Sequence, residues 1–455
     1  MLNVRDVALD SRLMGAIYRT GMELRAVWHR RRGRNWHSIV ARLRALRSEP
    51  AASHSEAALA RARGWLDRGA RDDASALRAV GDNKWLKAFL ETDEAARLRA
   101  HFASCAMHHR VRLREPNDDD PRRQGNLTVL KRYDSTTGEK GVLLLTYSEP
   151  LRRFPAMYDL AALASRYAII LEPSSWGYED ATYFLYAGFD VDVIVQAPWN
   201  RDFQFLRELR SNIHPVRIGA GDWVDPAVFS STVPRGRRQF DVVVVSSWSP
   251  WKRHRDLFEA AAELKRRGTP LKIALVGYPL VWDRAKIEAL IDRYGLREQC
   301  TIFDSIPQTE VARIVGDSEA YALLSRREGA NRALYEALFC DTPVVVFAGH
   351  RGVNTDMVRN GVGALFDAGG LGDALLSVLM NPSAFRPREW ARANSGYANS
   401  TAALNTVLKE MSERRGLPWT RDIVAKKNTP EIRYVDEADR ERMEPEYMLL
   451  APFLR

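Results

Sequence analysis

The stretch YALLSRREGANRALYEALFCDTPVVVF, residues 321–347, decides the fold predicted for this chain. An apolar run opens it, the pair Glu328-Gly329 follows in a polar loop, and Asn331 precedes apolar residues spaced as on one helix face. The β-branched run Val344–Val346 near its end is typical of a buried parallel strand. The stretch therefore predicts a strand, a glycine loop, a helix and a second strand of an α/β sheet.

The loop of this stretch has the properties of an anion-binding site. The free N–H groups and the dipole at a helix N-terminus favour negative charge. The backbone of Gly329, Ala330 and Asn331 would lie beside a bound ligand. If Asn331 caps the helix, the carboxylate of Glu328 is free to accept hydrogen bonds from hydroxyl groups.

Two glutamates, Glu328 and Glu336, stand eight positions apart in this stretch. Alone, such a pair is more often a solvated helix face. With its flanking residues, however, the segment EGANRALYEALFCDTPVVV resembles the donor-site signature of glycosyltransferase family 4 (glycosyl transferases group 1). Asp341 departs from that pattern, because the family commonly has glycine at this helix C-terminus, and aspartate tolerates the left-handed conformation less well.

The resemblance implies a retaining, metal-independent transferase that moves a sugar from a nucleotide-sugar donor to an acceptor. By this resemblance, Glu328 would hold the hydroxyls of the donor sugar and Glu336 those of the ribose. Lys252 matches the family's lysine beside the donor diphosphate. A leaving diphosphate without bound metal needs such cationic stabilisation.

The resemblance is incomplete on the cationic side of the donor. The family has an arginine at the end of the preceding strand, where Ser246 and Ser247 stand in this chain. Arg253 or Arg255 would have to compensate. Taken alone, the run of basic residues from Lys252 is only a basic helix start.

Two further positions are expected on the donor side. Gly277 ends the apolar strand LKIALVG and would let the donor approach the backbone. Ser305 lies in the segment Phe303–Ile306, which would flank the base through backbone contacts.

The loop EPSSWGY, residues 172–178, follows an apolar strand where the family places a histidine. Glu172 could bind sugar hydroxyls, and Trp176 and Tyr178 could offer aromatic faces to an acceptor. The alternative is that Glu172 caps the next turn and Trp176 packs in an interface. His214 is a weaker candidate, because it precedes a proline at a strand entry.

Two acidic motifs are not taken as metal sites. Asp118–Asp120 lies in a loop rich in Pro, Asp, Arg and Gly and reads as part of a linker. The match of Asp190 and Asp192 to D-x-D falls at a strand start and is interpreted as accidental. The sequence therefore predicts neither a cofactor nor a structural metal.

The alternation of strands and helices predicts an α/β protein of the GT-B type, with two Rossmann-like doubly wound domains facing a cleft. We expect a basic helical N-terminal region (1–125), an acceptor-side domain (126–235) and a donor domain (236–385). C-terminal helices and a tail (386–455) would pack back on the acceptor-side domain. Ser231–Arg238 would be the interdomain linker.

The composition favours an anionic partner and a reducing compartment. The chain has 455 residues, a net charge of +10 and three widely separated cysteines. No apolar run approaches the roughly 18 residues of a membrane span. We expect a cytoplasmic protein, with a place at the inner face of the cytoplasmic membrane if its basic helices bind lipid.

The basic N-terminal helices allow three interpretations. Their apolar faces could pack on the rest of the protein, or they could lie on an anionic membrane surface. Binding of nucleic acid is the least favoured, and a steep salt dependence would support it.

Other functions stay open besides transfer to a cell-envelope glycan or lipid-linked saccharide. The missing arginine and histidine would also suit an inactive GT-B protein that binds nucleotide-sugars or acts as a scaffold. A nucleotide-sugar epimerase is a further alternative.

Overall fold

The computed structural model divides into two compact units. It describes residues 12–32, 127–147, 151, 154, 158–173, 186, 191–208, 212–329, 331–350, 352–428 and 432–453. Unit 1 comprises the chain up to Arg217 together with 405–424 and 436–455, and unit 2 comprises 218–404 and 425–435.

Unit 1 is built on a sheet that is parallel except at β1. Its elements in chain order are α1 (Arg12–Arg31), β1 (Leu127–Lys131), β2 (Gly141–Thr146), α2 (Leu160–Arg166), β3 (Tyr167–Glu172), β4 (Val193–Gln196), α3 (Asn200–Glu208) and β5 (Ile213–Val216). The strand order is β1-β2-β3-β4-β5, and β1 runs antiparallel to β2. Among these described strands the order follows the sequence without a reversal, so the doubly wound arrangement expected of this half is not seen in them.

A buried ion pair joins β1 to the end of the following turn in unit 1. Lys131 Nζ lies 2.5 Å from Glu139 Oε1, and the two side chains are 4% and 0% exposed. Burial opposes ionisation of Glu139, but Lys131 and hydrogen bonds from Thr420 and Arg421 outweigh it and lower its pKa to about 2. The pair therefore ties the C-terminal residues of unit 1 to its sheet.

Unit 2 alternates strands and helices almost without interruption. Its elements are β6 (Phe240–Val245), α4 (His254–Arg266), β7 (Ile273–Gly277), α5 (Arg284–Arg293), β8 (Cys300–Asp304), α6 (Gln308–Gly316), β9 (Ser318–Leu323), α7 (Arg332–Phe339), β10 (Val344–Phe347), β11 (Gly363–Phe366), α8 (Leu371–Met380) and α9 (Pro387–Asn394). The strands and helices predicted from residues 321–347 are confirmed by β9, α7 and β10.

The sheet of unit 2 is parallel and reverses its direction of growth once. The strand order is β11-β10-β9-β6-β7-β8. The chain adds β7 and β8 on one side of β6 and then returns to place β9 on the other side. The loops that leave β6 and β9 therefore diverge from one point, the topological switch point of a doubly wound sheet.

Both faces of the unit 2 sheet are covered, because neighbouring residues of its strands point into different cores. Val243 joins a buried cluster with residues of α6, α7 and α9, including Leu334 and Ala391. Val242 joins a second buried cluster with residues of α4, α5 and α8, including Phe258. This explains why β6 is apolar without alternation, as in sheets sandwiched between helices.

The C-terminal part of the chain contains α10 (Gly396–Arg414), β12 (Lys426–Asn428), β13 (Ile432–Tyr434) and α11 (Glu437–Met448). The helices predicted for the C-terminal stretch are confirmed by α9 and α10, which are separated at Ser395. Gly396 has φ +87°, and Ser395 Oγ lies 3.0 Å from Asp222 Oδ1. Glycine and this contact together turn the chain between the two helices.

The segment Ser231–Arg238, predicted as a linker, is held within unit 2. Ser231 Oγ donates to the carbonyl of Gly316, and Arg238 Nη1 donates to Ser318 O and Thr342 Oγ1. The chain changes unit earlier, at Arg217.

Asp341 does adopt the left-handed conformation expected at the end of α7, with φ +57°. Its carboxylate lies 3.4 Å from Arg235 Nε, which gives the aspartate a local partner. No helix among the described residues is long and apolar enough to span a membrane.

Candidate functional site

The two loops at the switch point of unit 2 bring Lys252 and Glu328 together. Lys252 follows β6 in a short 3-10 turn (Pro250–Lys252), and Glu328 follows β9. Lys252 Nζ lies 2.5 Å from Glu328 Oε1, although the residues are 76 positions apart. The side chains are 17% and 14% exposed, so the pair is partly covered and remains reachable from solvent.

The helix that follows Glu328 is capped as the sequence predicts. Asn331 Oδ1 accepts a hydrogen bond of 2.8 Å from the backbone of Leu334, and Asn331 has extended backbone angles. The hydroxyl of Tyr321 lies 3.4 Å from the same oxygen. Because Asn331 caps α7, Glu328 is not used as the cap and keeps its carboxylate at the switch point.

Glu336 lies inside α7 and is far less accessible than Glu328. Its side chain is 5% exposed, and its Oε1 lies 2.9 Å from Arg332 Nε. Burial raises the pKa of Glu336, while Arg332 and a hydrogen bond from Gln308 act in the opposite direction. Arg332 therefore already engages one oxygen of this carboxylate.

Two histidines near Lys252 were not singled out by sequence reasoning. His254 opens α4, is buried and lies 3.3 Å from Ser246 Oγ; burial, followed by the charge of Lys252, lowers its pKa to about 4. His350, three residues after β10, is 4% exposed. Burial and then the charges of Lys252 and Arg326 lower the pKa of His350 to about 3. Both imidazoles are therefore neutral at pH 7.

Arg326 is a third residue that the sequence did not single out. It stands two positions before Glu328, and its guanidinium carbon lies 3.4 Å from the centre of the Phe347 ring. Its Nη2 lies 3.8 Å from Asp256 Oδ2, and its side chain is 14% exposed. The only sequence signal is its place in a loop at a strand end, which says nothing about where the guanidinium points.

The cationic residues that the sequence offered beside Lys252 have other partners. Arg253 Nε donates to Asp256 Oδ2 at 2.8 Å, and Arg253 has φ +56° at the start of α4. The guanidinium of Arg255 lies 5.9 Å from the centre of the Trp282 ring. A role of Arg253 in donor binding stays a prediction.

Gly277 and Ser305 lie together at the ends of β7 and β8. Ser305 N donates to the carbonyl of Gly277 at 2.7 Å, and Ser305 Oγ donates to Asp304 at 2.7 Å. A Cβ on Gly277 would fall 2.3 Å from Ser246 O and 2.4 Å from Trp248 Nε1. The packing of this chain therefore already requires glycine there, and approach of a donor stays a prediction.

The predicted acceptor-side residues belong to unit 1. Glu172 ends β3, is buried, and its backbone carbonyl accepts a hydrogen bond from Tyr147 N. Trp176 and Tyr178 lie outside the described residues, as does Ala330 on the donor side. The predicted binding roles of Glu172, Trp176, Tyr178 and Ala330 therefore stay predictions.

The two remaining candidates, Asp192 and His214, are in contact with each other. Asp192 Oδ1 lies 2.9 Å from His214 Nε2, and Asp192 also pairs with Arg415. Asp190, the other aspartate of the D-x-D match, and Asp118–Asp120 lie outside the described residues. In the part of the chain that the structure describes, no group of three or more acidic, histidine or cysteine residues could hold a metal ion.

The fold and the site define unit 2 as a doubly wound α/β domain with paired charges at its switch point, where such domains bind their ligands. Residues 232–394 match the family model described as "Glycosyl transferases group 1". This part of the chain is therefore similar to glycosyltransferase group 1 domains, in agreement with the EG and PVVV motifs.

Solved structures with similar folds include sucrose-phosphate synthase from Thermosynechococcus elongatus and the Anabaena protein HepE in complex with UDP. The first is 17% identical, with 60% of this chain and 74% of the other covered and a TM-score of 0.47. The second is 16% identical, with 60% and 78% covered and a TM-score of 0.44. No curated protein matches this chain. The assignment rests on the family match, since both TM-scores are below 0.5.

Proposed function

We propose that the chain is a retaining glycosyltransferase that takes a sugar from a nucleotide-sugar donor bound at the switch point of unit 2. The observation that carries this proposal is the pair Lys252–Glu328, 2.5 Å apart and partly exposed between the loops after β6 and β9. The match of residues 232–394 to glycosyl transferases group 1 supports the same reaction class.

In this proposal Lys252 and Glu328 each bind a different part of the donor. The ammonium of Lys252 stabilises the charge that develops on the leaving diphosphate. The carboxylate of Glu328 accepts hydrogen bonds from hydroxyls of the donor sugar, and N–H groups at the start of α7 add positive potential. Glu336 accepts hydrogen bonds from the ribose once Arg332 has moved aside.

A thermal-shift panel with UDP, GDP, ADP, dTDP and their sugars tests donor binding. At about 100 times Kd, a ligand that binds only the folded state adds about 2.7 kcal/mol of stability. For a domain of this size that corresponds to about 5–10 °C. We expect one nucleotide family to stabilise the protein. No stabilisation by any of them would contradict the proposal.

Turnover separates an active transferase from an inactive binding module. We expect a donor that stabilises the protein to be consumed when cell-envelope glycans or lipid-linked saccharides are offered as acceptors. NMR of the product should show the anomeric configuration of the donor. Binding without a new glycosidic bond with these acceptors would favour the inactive module, and an inverted anomer would contradict retention.

Helix α1 supports contact with an anionic membrane. Ile17, Leu24 and Trp28 lie on one helix face and are 56%, 67% and 44% exposed. The exposed arginines Arg30 and Arg31 follow in the last turn. An exposed apolar stripe with basic neighbours suits the interface of an anionic bilayer, where the apolar side chains insert and the arginines meet lipid phosphates.

Co-sedimentation with vesicles tests this contact. We expect binding to vesicles rich in phosphatidylglycerol and little binding to phosphatidylcholine. The variant Leu24→Asp should lose binding, whereas Leu280→Asp, at an exposed leucine of unit 2, should retain it. Equal binding of the two variants would contradict a role of α1.

A further inference from the structure

The pair Lys252–Glu328 cannot by itself neutralise the negative charge of a diphosphate group. Its opposite charges lie 2.5 Å apart and largely cancel. A nucleoside diphosphate carries several negative charges, and binding sites for such groups gain most from charged donors that converge on the oxygens. A second cation beside Lys252 is therefore needed for the function proposed above.

Arg326 stands two positions before Glu328, and its side chain already has two partners. Its guanidinium stacks on Phe347 with 3.4 Å to the ring centre, and Asp256 lies 3.8 Å from Nη2. The cation–π contact and the carboxylate hold the side chain before a ligand arrives, so little conformational freedom remains to be lost on binding. Arginine also suits phosphate geometry, because its planar group can donate two parallel hydrogen bonds.

His350 gives an independent indication that a polar ligand belongs at this place. Its side chain is 4% exposed, and neither ring nitrogen has a hydrogen-bond partner. Buried polar groups are normally satisfied, so an unpartnered imidazole calls for an explanation. The charges of both Lys252 and Arg326 act on this ring, which places it in the field of the two cations.

We propose that Arg326 is a diphosphate-binding residue of the donor site, acting together with Lys252. Its guanidinium donates hydrogen bonds to diphosphate oxygens, and a diphosphate oxygen accepts a hydrogen bond from the His350 imidazole. The inference rests on the proposed function, because it assigns a residue to the same donor site. The residues Ser246 and Ser247 at the end of β6 carry no positive charge, so the second cation comes from the loop after β9 instead.

Titration calorimetry with inorganic pyrophosphate tests this assignment on the full chain. We expect Arg326→Ala to bind pyrophosphate roughly ten- to hundredfold more weakly than the unmodified protein, the range of a lost charged hydrogen bond. Arg326→Lys keeps the charge without the planar donor pair and should fall between them. The control Arg359→Ala removes one exposed arginine of unit 2 and should bind as the unmodified protein does.

The outcomes separate this inference from the proposed function. If Arg326→Ala binds pyrophosphate as tightly as the unmodified protein, the inference is overturned and the donor site stands. If the unmodified protein binds neither pyrophosphate nor any nucleotide of the panel, the proposed function itself fails. A role of Arg326 in stability alone would lower the melting temperature without changing pyrophosphate affinity, and that result also overturns the inference.

A second measurement on the unmodified protein avoids substitutions that disturb folding. We expect saturating pyrophosphate to shift the NMR signals of the His350 imidazole, because a bound anion offsets the field of the two cations. The assignment of these signals can be made with His350→Gln. Signals that do not move when pyrophosphate is bound would place the anion elsewhere and overturn the inference.

Discussion

Two lysine–glutamate pairs, one in each unit, have the same separation and very different surroundings. Lys131–Glu139 in unit 1 and Lys252–Glu328 in unit 2 both have 2.5 Å between nitrogen and oxygen. In the first pair the side chains are 4% and 0% exposed, and in the second 17% and 14%. The chemistry of the two contacts is identical, so their roles must follow from what surrounds them.

The pair in unit 1 is saturated. Glu139 accepts hydrogen bonds from the backbone of Thr420 and Arg421 and from the Thr420 hydroxyl, in addition to Lys131. The ammonium of Lys131 also lies 3.5 Å from the centre of the Trp419 ring. Glu139 is 0% exposed, so no ligand can reach it, and the pair holds separate chain segments together.

The pair in unit 2 stands where a ligand can exchange with it. It joins two loops at the switch point of a sheet, and the helix behind Glu328 has its own cap in Asn331. This pair is reached by solvent, with side chains 17% and 14% exposed, and should cost less to open than the fully buried pair of unit 1. The comparison indicates that saturation and position, rather than the ion pair itself, distinguish a structural contact from a binding contact.

The largest effect on stability is expected from Glu139→Gln. The substitution leaves Lys131 buried without its counter-charge, and breaking such a pair typically costs about 3–5 kcal/mol. Urea unfolding with hydrogen-exchange readout on β1 and β2 measures it. The control Glu263→Gln removes an exposed partner of Arg266 and should change stability by less than about 1 kcal/mol. Equal effects would contradict the structural role of the buried pair.

The stability of unit 1 should depend on pH through the titration of Glu139. The pKa of Glu139 is lowered from 4.5 to about 2, so its carboxylate stabilises the fold above pH 4.5. This contribution, about 3 kcal/mol, is lost progressively as pH falls from about 5 to 2. Acid unfolding of Glu139→Gln should show a correspondingly flatter profile. Identical profiles for both proteins would rule out this assignment.

Glu336 has the opposite pKa shift, and its titration should appear in a binding experiment. Burial raises its pKa above the usual value, and hydroxyl donors favour its charged form. Nucleotide affinity should therefore weaken as pH falls through this pKa, by up to about tenfold per pH unit. Titrations between pH 4 and 8 measure this dependence, which Glu336→Gln should remove. If Glu336→Gln keeps the same pH dependence of nucleotide affinity, another titrating group causes it.

The smallest effect on stability is expected from Glu328→Gln. Because this pair is more exposed than Lys131–Glu139, the free energy of unfolding should fall by less than it does in Glu139→Gln. Thermal unfolding in the absence of ligand measures it, with Glu139→Gln as the contrasting variant. A loss as large as that of Glu139→Gln would show that both pairs are structural.

Much of unit 2 follows from local patterns in the sequence. The β-branched runs, the capping asparagine and the left-handed turn at Asp341 are determined by residues close in sequence, and the structure confirms them. Glu328 is predictable for the same reason, since its loop lies between a strand and a capped helix.

The remaining features depend on contacts between distant residues. The direction of Arg326 is set by the Phe347 ring, and the burial of His350 is set by the packing around the end of β10. Glu139 is saturated by residues near position 420, which no local pattern reveals. The break between α9 and α10 follows from a contact of Ser395 with Asp222, so helical periodicity alone did not predict it.

The most direct test of the donor site is the affinity of the nucleoside diphosphate selected by the panel, measured for the unmodified protein and for Lys252→Ala. Loss of this charged contact should weaken binding by roughly ten- to hundredfold while the unfolding free energy without ligand stays nearly constant. Unchanged affinity in Lys252→Ala would contradict the placement of the donor diphosphate at the switch point of unit 2.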